Sequence, residues 1–197
     1  MKNVITPTHT ELFFPEDEII VSKTDLKGRL TYVNQTFLRI AKYTEAELLG
    51  QPHSIIRHPD MPRAVFKLLW DTILEGREIF AYVKNIAKTG DYYWVLAHVT
   101  PSYDKDKSII GFHSNRRVPN RNVINNTITP IYSKILQEEN QHKNGQAALA
   151  AGFDFLVDFL KSKATTYDSL SGRPICSRSM LLSRRHALAR PAVALLL

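Results

Sequence analysis

The chain has 197 residues, 44% of them hydrophobic and 10% aromatic, which supports one substantial core plus extensions. Its net charge of +7 gathers at one end: residues 171–197 hold five arginines and no acid, so residues 1–170 carry only +2, which argues against a generally basic nucleic-acid binder. The single cysteine, Cys176, rules out a disulfide framework and a metal–thiolate site and fits a reducing cytoplasm, no run of about 18 apolar residues is present to insert in a membrane, and MKNVITPTHTELFFPEDE lacks the apolar stretch of a signal peptide.

Residues 1–17 read as an extended or partly helical cap anchored by Leu12, Phe13 and Phe14. EIIVSKTD from Glu18 and LTYVN from Leu30 form a hairpin around Leu26-Lys27-Gly28-Arg29. Phe37, Ile40 and Ala41 recur at helical spacing in the next segment, and Thr44-Glu45-Ala46-Glu47 opens a short helix that Gly50 stops. A longer helix, RAVFKLLWDTILEG, presents Val65, Leu68, Leu69, Thr72 and Ile73 on its apolar face. IFAYVKNIAK, DYYWVLAHVTPSY and SIIGFHSNRRV then form an antiparallel meander. The whole of 18–118 is an α+β domain, a five-stranded antiparallel sheet with helices on one face.

Residues 119–144 are a linker, Asn-rich at first and helical from about Pro130. Residues 145–170 carry an amphipathic helix in which Leu149, Phe153, Leu156 and Leu160 form an a/d-like seam. The long polar linker favours a homodimer or partner contact for that seam over packing on its own domain. Residues 171–197 contain no Asp, Glu, Lys or Asn and read as vector-derived or out-of-frame sequence, with a genuine basic tail as the alternative.

One segment stands out chemically. Arg57-His58-Pro59-Asp60-Met61-Pro62 places a cation, an imidazole and a carboxylate on backbone that its prolines keep out of a continuous helix. It suits either a polar ligand or a local Arg57–Asp60 ion pair.

TDLKGRLTYVNQTFLRIAKYTEAELLGQPHSIIRHPDMP resembles the start of the PAS domain of bacterial aerotaxis and energy-taxis receptors. Asn34 with Phe37, Tyr43-Thr44, Glu47-Leu48, Gly50-Gln51-Pro52-His53 and RHPDMP carry the likeness. Lys84-Asn85, Gly90-Asp91, Tyr93-Trp94-Val95, Ser114-Asn115-Arg116-Arg117 and Pro130-Ile131-Tyr132 continue it, so that it covers about residues 18–136. Ile79 departs from it, because the family often has tryptophan near that position, although Phe80 is adjacent.

The resemblance implies a non-enzymatic cytoplasmic redox or oxygen sensor that holds FAD noncovalently. It further implies output to a HAMP-containing chemotaxis transducer, with this chain resembling the PAS-only half of a bipartite energy-taxis system. It places Arg57, His58 and Asp60 at cofactor retention. Arg57 suits the pyrophosphate, and His58 could add a second donor. Asp60 would orient its neighbours or bond a ribose hydroxyl. Asn34 and Asn85 would meet the heteroatom edge of the flavin, with a helix cap as the alternative for Asn34. Phe66 and Trp70 would line the pocket or pack in the core, and Trp94 and His98, sharing a strand face, would line it or meet the N-terminal cap. His53, His58, His98 and His113 leave a heme-binding PAS domain as an alternative, and a cofactor-free interaction module is a third. No GxGxxG and no nucleophile–base pair suggests an enzyme.

Overall fold

The computed structural model describes residues 5–162. The expectations for 1–4 and for the tail from 163 lie outside the described residues.

Strands β1 (Ile20–Thr24) and β2 (Leu30–Val33) form the first hairpin. Helices α1 (Gln35–Ala41) and α2 (Glu45–Leu48), a 3-10 turn (His53–Ile56) and α3 (Arg63–Leu74) follow. The meander β3 (Ile79–Ile86), β4 (Tyr92–Tyr103) and β5 (Ile109–Arg117) completes an antiparallel sheet of order β2-β1-β5-β4-β3. The first hairpin therefore docks beside the last strand, with Ser22 opposite Ser114 and Ile20 opposite Arg116.

Helix α1 begins where Asn34 caps it: the Asn34 side chain accepts from the Phe37 N–H at 3.1 Å. Helices α1–α3 bury Phe37, Ile40, Leu48, Val65 and Ile73 against one sheet face, as expected. Each fully buried side chain of this size contributes about 1.5–3 kcal/mol.

The N-terminal segment forms no helix in its described part, and runs along the sheet edge with a bend at His9 and a turn at Glu16-Asp17. Leu12 N–H donates to Tyr92 O at 2.7 Å, and Tyr92 N–H donates to Thr10 O at 3.0 Å. Phe14 is the buried anchor, whereas Phe13 is 69% exposed with the Arg121 guanidinium over its ring.

The linker is helical earlier than expected. Helix α4 (Arg121–Val123), a π-helical stretch (Ile124–Ile128) and α5 (Thr129–Asn140) run on without a break. Ile124, Ile128, Ile131 and Ile135 are buried at helical spacing, and the exposed Asn125 and Asn126 lie between them. Tyr132 covers the outer sheet face, donating its hydroxyl to Tyr82 O at 2.7 Å and packing against Trp94.

Helix α6 (Gly145–Ser162) folds back on α3 and α5. The reading of its seam as chiefly a partner surface gives way to this intramolecular packing. The buried stripe is Ala148, Gly152 and Leu156, not the larger residues alone. Small residues win because α6 must approach closely: a Cβ on Gly152 would lie 2.6 Å from Glu139 Cγ.

Candidate cofactor-binding site

The inner sheet face, the 3-10 turn and α3 line a cavity of about 110 Å3. Strands contribute alternate residues: Ser22 and Thr24 from β1, Ser114 and Arg116 from β5, and Val83 and Asn85 from β3. Helix α3 contributes Phe66, Leu69, Trp70 and Ile73, one face of a 3.6-residue period. Gly28 closes the hairpin over this wall with φ +71°, and a Cβ there would stand 3.0 Å from the Trp70 ring. Only glycine meets both demands.

The lining is mostly apolar, yet it includes two guanidinium groups and no acid among the described residues. Arg57 is half-buried, donates to Met61 O at 2.8 Å and lies 4.4 Å over the Phe66 ring. Burial lowers it to about 10, with Glu139 acting in the opposite sense. Arg116 is 3% exposed and donates from Nη2 to Ser22 Oγ at 2.8 Å. The same nitrogen contacts His53 Nε2, which places the His53 proton on Nδ1. Burial, and secondly the Arg116 charge, pushes His53 down to about 3, so the imidazole is neutral. Asn85 Nδ2, Ser114 Oγ and Arg116 Nη1 are buried without a hydrogen-bond partner. Buried polar atoms are ordinarily paired.

Of the residues singled out from sequence, Arg57, Phe66, Trp70 and Asn85 stand on the cavity wall. Trp70 is also packed edge-on against Phe112, ring centroids 5.4 Å apart. Asn34 does not reach the wall. Its amide accepts from Phe37 N–H and Val21 N–H and donates to Ile19 O at 2.8 Å, so it ties α1 to β1.

His58 and Asp60 also lie off the wall. His58 is buried behind it and accepts the Asp60 N–H at Nδ1, 3.1 Å away. Asp60 is exposed and pairs with Lys84 Nζ at 2.6 Å rather than with Arg57. Desolvation works upward on Asp60, but the Lys84 hydrogen bond and charge, with His58, hold it below the usual carboxylate range. Burial and Lys84 lower His58, against Asp60. This trio positions the loop that leads from Arg57 into α3.

Trp94 and His98 face away from the cavity. Trp94 meets Tyr132, and His98 stacks on Phe80 and pairs with Glu78. Phe80 therefore does not substitute in the cavity for an aromatic residue at Ile79, which is itself buried in the sheet.

Sequence reasoning passed over Arg116 as a wall residue and offered His53 only under the heme alternative. The signal for Arg116 was present in the strand alternation: it shares its face with Ser114 and the core residue Phe112, while Arg117 points the other way. His53 had no such signal, because a single turn of 3-10 helix fixes its direction.

A flat apolar body with an acceptor-rich edge matches this lining: aromatic and aliphatic walls for the body, and Arg116, Asn85 and Ser114 for the edge. Such a clasp of antiparallel sheet and short helices around a cavity defines an α+β sensor domain. Residues 30–115 match the family model described as PAS fold, and the chain carries a PAS domain. It is 42% identical over 112 residues to the aerotaxis receptor of Escherichia coli (strain K12), covering 57% of this chain and 22% of that protein. It is 31% identical over 100 residues to the nitrogen fixation regulatory protein of Klebsiella pneumoniae, covering 49% and 20%. The chain thus spans about a fifth of the length of these curated relatives.

Among solved structures, the dark-state LOV domain of the blue-light photoreceptor Aureochrome1 superposes with a TM-score of 0.51 at 19% identity, covering 58% of this chain and 86% of that one. A LOV domain studied with a flavin analogue gives 0.50 at 14% identity, covering 59% and 87%. These two likenesses establish the fold.

Proposed function

We propose that this chain is a non-enzymatic PAS sensor that holds FAD noncovalently, reads redox or oxygen status through it, and signals to a HAMP-containing chemotaxis transducer. The observation that carries the reading is the cavity, whose long apolar wall ends in cationic and neutral donors with no acid among its described lining. The likeness to an aerotaxis receptor and to a LOV domain studied with a flavin analogue supports it.

Bound FAD would supply reversible electron transfer. The chain's own residues would bury its ring against Phe66, Leu69 and Trp70, offer Asn85 and Ser114 to ring heteroatoms, and present Arg57 to the pyrophosphate. The heme alternative finds less support. His53 Nε2 faces Arg116, His98 Nε2 faces Glu78, His113 Nε2 meets Asn115, and His58 lies off the wall. No described helix is long and apolar enough to cross a membrane.

The experiment is a pull-down of a HAMP-containing transducer in air and under dithionite. The reading expects capture that differs between the two conditions. Equal capture in both would count against the signalling role.

A further inference from the structure

Arg116 poses a physical problem that the fold alone does not solve. Its side chain is enclosed at the centre of the sheet, between Ile20 on β1 and Ala97 on β4. Among the described residues no carboxylate pairs with it. Its companions are the Ser22 hydroxyl, the neutral His53 ring, the Phe37 ring, 5.4 Å from the guanidinium carbon, and the buried Tyr93, whose hydroxyl burial keeps protonated. A cation–π contact and one hydroxyl replace only part of a lost hydration shell. Nη1 retains no partner, and Ser114 Oγ, two residues away on the same face, is equally unmet. A buried, uncompensated cation is costly. Burial lowers its proton affinity to about 10, which leaves it charged at neutral pH.

We infer that Arg116 is a ligand-binding residue, receiving the electron-rich carbonyl–imide edge of the ring held in the cavity, with Ser114 and Asn85 as its neighbouring contacts. The inference rests on the flavin reading and adds to it a residue and the part of the ligand that the residue meets. Phosphate oxygens would also suit a guanidinium. The sealed position favours the ring, because phosphates keep part of their hydration and Arg57 offers them a half-exposed cation.

The test uses ligand-free wild-type protein with the variants Arg116→Met and Arg116→Lys. Thermal melting is measured first, followed by titration with riboflavin, FAD and ADP. The inference expects ligand-free R116M to melt above wild type, because an unmet charge is gone. It expects R116M to bind riboflavin and FAD at least tenfold more weakly, R116K to recover part of that loss, and ADP binding to stay unchanged.

An R116M that fails to fold or melts below wild type marks a structural arginine and overturns the inference. Wild-type riboflavin affinity in R116M overturns it as well. Weakened FAD and ADP with unchanged riboflavin assigns Arg116 to phosphate and overturns the ring assignment. Wild-type protein that takes up neither riboflavin nor FAD overturns the flavin reading and this role together.

Discussion

Arg57, His58 and Asp60 are neighbours in sequence that do three different jobs. Arg57 reaches the cavity, His58 fills the space behind it, and Asp60 fastens the loop to Lys84 at the surface. Arg57→Ala should therefore cut flavin content of the purified protein most, by about tenfold or more for a charge-assisted contact. Asp60→Asn should reduce it less, since an exposed ion pair is worth only ~0–1 kcal/mol. Visible absorbance per mole of protein reads both, and an Asp60 variant that lost more flavin than the Arg57 variant would reverse these roles.

A pH effect follows from the histidines. His53 sits at about 3 in the folded chain, against about 6.5 when unfolded. Below about 6.5 the unfolded chain takes a proton that the folded chain refuses, so stability is full above that pH and lost as pH falls toward 3. His58 is displaced in the same direction and adds to the effect. The melting temperature should fall steadily with acidification over this window, and His53→Gln should flatten the slope. A melting temperature unchanged between about pH 7 and about pH 5 would contradict this account. The tautomer of His53, and part of its lowered proton affinity, depend on Arg116, 63 residues away, and such a partner has no local signature in the sequence.

Helix α3 links the cavity to the C-terminal helices. Its inner face bears Phe66, Leu69 and Trp70, while its N-terminus is held from outside. Pro62 precedes it without a side-chain cap. Glu139 of α5 supplies that function, accepting Arg63 N–H at 3.0 Å and Ala64 N–H at 2.8 Å. The carboxylate answers both the free donors and the positive end of the helix dipole. Gly152 of α6 leaves the room it occupies.

Glu139→Ala should destabilise the protein by about 1–3 kcal/mol for each donor left unmet. Gly152→Ala should cost a similar ~1–3 kcal/mol through overpacking. Denaturant unfolding measures both. Hydrogen exchange should show protection lost first in α6, and wild-type stability in both variants would refute the joint. Helical periodicity foretold α3 and α6 well, because each buries a face over three or more turns. It could not foretell their docking, because Glu139 reads as a surface acid and Gly152 as a helix flaw until the two are seen in contact.

At the scale of the molecule, the hairpin and the meander were legible from turn residues and alternation, whereas the docking of that hairpin beside β5 pairs segments about 90 residues apart and has no local signal in the sequence. The outer-face cover by Tyr132 was not legible either, because the Asn-rich linker masks the buried isoleucines beneath it. The resulting arrangement sets α3 between the cavity and the α5–α6 pair. A ligand that binds differently in two states would bias that packing. Exchange rates in α6 should therefore differ between air-oxidised and dithionite-reduced protein, and identical rates would remove α6 as an outlet.

All of this depends on what fills the cavity. The most direct measurement is the visible absorption spectrum of the protein as purified, followed by denaturation and mass identification of the released small molecule. The account predicts the two-banded absorption of a flavin and release of FAD. A Soret band, or colourless protein that releases nothing and takes up no added FAD, would contradict it.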